Sequence, residues 1–135
     1  MTIPTATEAE VAAGVHATVA AYAHALDAGR TDDLVGTFCP DGSAEISGMG
    51  TFHGHASIRD AYAALLPTHP QLHLVANTVI SSWTEHEAAA VSNFTFLQRG
   101  ESGWVAPVTG RYDDVFHKGD DGAWRIHSRT TSYVI

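Results

Sequence analysis

A chain of 135 residues, 44% of them hydrophobic, holds enough apolar side chains for one core and is too short for two ordinary domains. Fifteen acidic side chains against seven basic ones give a formal net charge of -8, and no run of Lys or Arg is present to follow a phosphate backbone, so neither nucleic acid nor an anionic membrane is an expected partner. Cys39 is the single cysteine and has no internal disulfide partner, no stretch reads as a signal-peptide core or a membrane span, and the expected location is the cytoplasm.

In chain order, residues 1–6 are expected to be flexible at the start of a single domain spanning 1–135. TEAEVAAGVHATVAAYAHALDAG carries Val11, Val15, Val19, Tyr22 and Leu26 at helical spacing, with Thr7 as cap and Gly29 just past the end. A shorter helix is predicted from Thr31, its expected cap, with Asp32 and Asp33 in the first turn and an end before Pro40. PDGSAEISGMGTFHG reads as a turn, a short strand and a glycine-rich return. HASIRDAYAALLP places Ile58, Tyr62 and Leu65 or Leu66 on one helical face, closed by Pro67. Strands are predicted at about 71–83, 88–98, 104–117 and 123–134, joined by TEHE, RGESG and KGDDG. Helices first and antiparallel strands afterwards indicate an α+β domain, with the helices on one face of a curved sheet.

The first of these strands, QLHLVANTVI, reads as buried yet contains His73 and Asn77. Strict alternation puts both on one face with Val75 and Val79. A buried polar group without a partner costs on the order of 1 to 3 kcal/mol, so the two are either satisfied within the fold or line a cavity.

The order of elements, AYAHALDAGRTDDLVGTFCPDG, the FHGHASIRDAY helix, HLVANTVI and the closing GRYDDVFHKGDDGAWRIHSR together resemble a SnoaL-like member of the nuclear transport factor 2-like superfamily over roughly residues 8 to 134. The resemblance implies a cone-shaped α+β barrel, a fold that hosts cyclases, isomerases, dehydratases and plain binding modules. Within it, the pattern is similar to scytalone dehydratase, bile-acid 7α-dehydratase and hexachlorocyclohexane dehydrochlorinase. By that resemblance, the strand histidine falls at His73, the aspartate that orients it at Asp27, an arginine of the last strand at Arg129 and a tyrosine five residues before the aspartate at Tyr22.

Elementary chemistry gives these residues roles of their own. Asp27 sits near a helix C-terminus, where the dipole disfavours negative charge by roughly 0.3 to 1 kcal/mol, so it calls for a compensating partner. Its small neighbours Ala20 and Ala23 leave room for a ligand. A carboxylate bonded to one nitrogen of His73 would fix the tautomer and leave the other nitrogen as a general base. Arg129 would stabilise a departing anion or an enolate, Asn77 would hold a carbonyl or the histidine, and Tyr22 would donate to substrate. Each has a structural alternative: a solvated helix end or a pairing with His24 for Asp27, a core histidine bonded to backbone for His73, an ion pair with Asp113, Asp114 or Glu45 for Arg129, core packing for Tyr22, and a sheet hydrogen bond for Asn77.

Other constellations carry less. HGH at 53–55 lacks a third ligand at a telling spacing, so no metal is expected, and Gly48 and Gly50 lack the spacing of a nucleotide loop, so no cofactor is expected either. Cys39 reads as a buried small residue, and Trp83, Trp104 and Trp124 as packing for sheet faces. Two functional readings stand: a cofactor-independent lyase or isomerase acting on a small hydrophobic or cyclic molecule, with a cyclase as its nearest enzymatic alternative, or a non-catalytic ligand-binding or assembly domain. Strands apolar on both parities point to a homodimer or homotrimer.

Overall fold

A computed structural model describes residues 6–134; of the expected flexible start, residues 1–5 lie outside the described residues, and Ala6 packs against the core. Helix α1 (Glu8–Asp27) begins at the predicted cap. The Thr7 hydroxyl accepts from the Glu10 amide at 3.2 Å while the Thr7 amide donates to the Glu10 carboxylate at 2.8 Å, which satisfies two backbone donors that the helix itself cannot. Val11, Val15, Val19 and Tyr22 form its buried stripe. Gly29, at φ +70, turns the chain out of the helix in the left-handed region.

Helix α2 (Thr31–Val35) is capped at Arg30, not at the expected Thr31, and no side chain bonds its first turn. Strand β1 (Phe38–Ile46) then takes in Pro40, which falls within the register shift between Phe38 and Ser43, where its missing N–H interrupts no ladder bond. Strand β2 (Gly50–His53) follows a tight glycine turn, and α3 (Gly54–Ala63) buries Ile58 and Tyr62 while Leu65 and Leu66 lie beyond its end. The remaining strands are β3 (Gln71–Trp83), β4 (Glu87–Gly100), β5 (Gly103–Lys118) and β6 (Trp124–Val134), within two residues of prediction at every end.

The six strands form one sheet in the order β2-β1-β6-β5-β4-β3, antiparallel throughout except for the β1–β6 pair. Three helices pack on this curved sheet, the expected α+β architecture. The core joins α1 and α3 to the inward residues of β1, β4, β5 and β6. Of the three tryptophans only Trp124 is buried; Trp83 and Trp104 are exposed, so the expected packing role holds for one of them.

Gly14 of α1 fixes how closely the helix approaches that tryptophan, since a Cβ there would stand 2.2 Å from Trp124 Cδ1. Helix propensity alone predicts that Gly14→Ala stabilises by about 1 kcal/mol. Overpacking costs typically 1 to 3 kcal/mol, so packing wins and the variant should unfold at lower urea than the parent. A raised midpoint would mean that Trp124 yields without cost.

Candidate active site

The last residue of α1 lies against the first residues of β3. The Asp27 carboxylate accepts three hydrogen bonds there: from the His73 backbone N–H at 2.7 Å, from His73 Nδ1 at 2.6 Å and from the Gln71 side-chain amide at 3.1 Å. Burial pushes the Asp27 carboxyl up, but the bonds from the His73 ring, its backbone and Gln71 outweigh that and hold it below its ordinary value. The group is therefore a carboxylate at neutral pH. A carboxylate can only accept, so Nδ1 carries the imidazole proton and the lone pair is left on Nε2. The His73 ring is also held by Phe96, whose centroid is 4.9 Å away. His24, three residues before Asp27, makes no bond to it.

His73 forms part of the wall of a cavity of about 230 Å³ between the helices and the sheet. Phe94, Phe96 and Tyr112 line its sheet side, Leu26, Tyr22 and Tyr62 its helix side, and Gln71, Thr131 and Tyr133 add polar atoms. The Tyr22 and Tyr62 hydroxyls are hydrogen-bonded to each other. Burial raises the pKa of Tyr22, Tyr62 and Tyr112 above the ordinary phenol value, so all three hydroxyls remain protonated. The cavity thus combines an apolar body, one imidazole lone pair and phenol donors.

Arg129 lies elsewhere than expected. It is 1% exposed and does not reach the cavity wall. Its Nε and Nη2 donate to the two oxygens of Asp114 at 2.8 and 2.9 Å. The guanidinium carbon lies 3.7 Å from the Tyr112 ring centroid and 4.3 Å from that of Tyr22, behind the aromatic lining. Burial alone would lower its affinity for the proton, but the Asp114 charge and bonds raise it. Register selects the partner: Arg129 lies directly opposite Asp114, whereas Asp113 and Glu45 both face Thr130.

Asn77 does not join His73. The β3–β4 register shifts between Ala76 and Val79, and Asn77 is the residue with positive φ, +56, inside that irregularity. The inward set changes there from Gln71, His73 and Val75 to Thr78 and Ile80, which leaves Asn77 and Val79 exposed. Ala20 and Ala23 do flank Asp27, though in a second groove with His16 and Leu74 that His73 also borders, and not in the cavity lined by Phe94 and Tyr112. Cys39 is buried, and burial followed by the Asp41 charge pushes its thiol up, which makes it a poor nucleophile.

The sequence reading overlooked Gln71, Tyr62, Phe94, Phe96 and Tyr112 as site residues. Gln71 carried a usable signal, since it is two residues before His73 on the same strand and so on the same face. Tyr62 was visible on a helical stripe but only as core. The sheet aromatics had no signal, because their facing depends on bulges.

The profile of the SnoaL-like domain family matches residues 7–130. No curated protein matches the chain in sequence. Among solved structures, a protein of unknown function with a cystatin-like fold from Nostoc punctiforme is 20% identical at a TM-score of 0.84, covering 97% of this chain and 96% of that one. A candidate scytalone dehydratase from Novosphingobium aromaticivorans is 20% identical at a TM-score of 0.77, covering 90% of this chain and 83% of that one. LinA is 17% identical at a TM-score of 0.79, covering 93% and 86%. At these identities the likeness is one of fold.

The depressed Asp27 carboxyl ties stability to pH with a definite sign. As pH falls, the unfolded chain takes up this proton first, near the ordinary value of about 4. The Asp27 contribution is therefore full above about pH 4 and drains away as pH falls through the folded value. Urea unfolding of the parent and of Asp27→Asn should differ by a constant amount near neutrality, and the gap should narrow below about pH 4. A gap independent of pH would contradict the ionised, triply bonded carboxylate.

Proposed function

The chain belongs to the SnoaL-like domain family, and on that premise we propose that it is a cofactor-independent lyase or isomerase that takes a proton from a small, mostly apolar molecule with His73 as base. The observation that carries the reading is the 2.6 Å contact between Asp27 and His73 Nδ1, made by a ring that lines an apolar cavity. In the proposed reaction Nε2 accepts the proton from carbon, and Asp27 stabilises the imidazolium that results. Negative charge then develops on an oxygen or a halogen of the substrate. The Tyr22–Tyr62 pair supplies a donor for it, one hydroxyl donating to the other and the second to substrate, and Arg129, behind the Tyr22 and Tyr112 rings, contributes through them and not by touching the substrate.

At about 230 Å³ the cavity is smaller than the pockets of about 300 to 1,000 Å³ that take drug-sized ligands. The substrate class is therefore compact and cyclic or aromatic, recognised by ring contacts with Phe94, Phe96 and Tyr112. Dehydration, dehydrohalogenation and double-bond isomerisation all begin with the same proton abstraction. The candidate dehydratase and LinA share this fold, which makes eliminations the first reactions to test.

The same reading includes self-association. Leu72 and Leu74 of β3, Trp104 and Val105 of β5 and Val134 of β6 are large apolar side chains left exposed on the sheet, surface that a second copy would cover. Among the described residues no helix is long and apolar enough to cross a membrane.

Two measurements test these points. Against a panel of small cyclic alcohols, halides and enones, His73→Gln should lower kcat by roughly 10² to 10⁴-fold while the variant remains folded at the assay temperature. Full activity in that variant would remove His73 as the base, and a bound ligand with no turnover in the parent would leave a binding module instead. Sedimentation velocity should find a dimer or trimer that Leu74→Lys dissociates, and a parent that sediments as a monomer would remove the oligomer from the account.

A further inference from the structure

Three strands place a second cluster of reactive side chains on the face of the sheet away from the cavity. Phe38 of β1 pairs with Ile126 of β6, and Ile126 pairs with Phe116 of β5; all three are fully buried in the core. Their neighbours Cys39, His127 and His117 turn to the opposite face as a group. Two irregularities draw them closer than regular strands would. The β1 register shifts between Phe38 and Ser43, and the β5–β6 register shifts at Val115 and Phe116, where His127 has no partner residue. Gly42 permits the close approach, because a Cβ there would stand 2.9 Å from the carbonyl oxygens of both Cys39 and Ile126.

One ligating atom from each of Cys39, His117 and His127 lies within 4.8 Å of the other two. The imidazoles are stacked, with centroids 4.0 Å apart and planes 12° from parallel. His117 Nε2 is engaged by the Glu87 carboxylate at 2.9 Å, which leaves Nδ1 as its open nitrogen. His127 Nδ1 is buried and has no hydrogen-bond partner. The Cys39 thiol has only a weak contact of 3.7 Å with the Arg125 carbonyl. A buried, unpartnered imidazole nitrogen, a second imidazole backed by a carboxylate and a thiol are the components of a metal site with part of its outer shell already present.

We propose that Cys39, His117 and His127 bind a borderline-soft divalent cation of the zinc(II) class. One thiolate and two imidazoles suit such an ion and are poor ligands for calcium or magnesium, which take oxygen. Tetrahedral bonds of about 2.0 to 2.3 Å put ligand atoms roughly 3.5 Å apart, so binding requires the two half-buried imidazoles to rotate out of their stack until their nitrogens converge on the ion. Water takes the fourth position. On binding, the Cys39 S–H bond breaks, a sulfur–metal bond forms and the proton passes to solvent, with no change of oxidation state. The ion would clip β1 to β5 and β6 where their ladders are irregular.

Cobalt(II) is the probe, since thiolate ligation gives it a near-ultraviolet charge-transfer band. The metal-free full chain should bind one cobalt per chain with that band, and zinc(II) should displace it. Cys39→Ser should abolish the band, and His117→Ala and His127→Ala should each weaken binding at least tenfold, while His69→Ala, at an exposed histidine, leaves it unchanged. Cobalt binding without the band, or loss of binding in His69→Ala and not in the cluster variants, would mean adventitious histidine binding and overturn the site, as would no binding at all. Should Cys39→Ser not fold, the parent decides: zinc(II) that slows modification of Cys39 by a thiol reagent supports the site, and an unchanged rate overturns it.

Discussion

A carboxylate at the C-terminal end of a helix meets the negative end of the backbone dipole and must find its donors elsewhere. Here all three donors come from β3: two from His73 and one from Gln71. That one constraint fixes several things together. It docks the end of α1 on the edge strand of the sheet, it sets the tautomer of His73, and it orients the ring with its lone pair away from Asp27. Both side chains are 13% exposed, so water is a weak competitor for these bonds and the Asp27 carboxyl stays below its ordinary value.

The cavity follows from how the sheet is bent. Seven elements contribute to its wall, from Tyr22 of α1 to Thr131 of β6, and bulges decide which side chains of the strands face inward. Behind the wall, Arg129 and Asp114 neutralise one another at full burial. A pair of this kind contributes little net stability but is costly to break, and it holds the Tyr22 and Tyr112 rings against a fixed charge. The tyrosines thereby carry a cation's influence to the cavity without admitting the cation itself.

Much of this was legible in the sequence because long periodic segments declare themselves. The capping box at Thr7 and Glu10 and the valine stripe of α1 mark that helix, and the last four strands alternate over enough residues to be placed within two positions. The pairing of Asp27 with His73 was a different matter: dipole chemistry says that Asp27 needs a partner, but only the family resemblance names it. Asn77 and Val79 were misplaced because strict alternation was carried through a bulge that no turn residue announces. Arg129 had three candidate acids, and the choice among them rests on β6 changing its inward parity between Ile126 and Arg129. The grouping of Cys39, His117 and His127 was illegible for the same reason, being a product of cross-strand register and not of spacing along the chain.

The central claim is that Asp27 keeps the imidazole proton of His73 on Nδ1 and leaves Nε2 as a base. Long-range proton–nitrogen correlation spectra of the histidine rings, recorded at mildly alkaline pH with His73 assigned through His73→Gln, read this directly. The account predicts a protonated, pyrrole-type Nδ1 and a bare, pyridine-type Nε2, with the preference relaxed in Asp27→Asn. A proton resident on Nε2 in the parent protein would contradict it, because the nitrogen left free by Asp27 would then have no lone pair with which to take a proton from substrate.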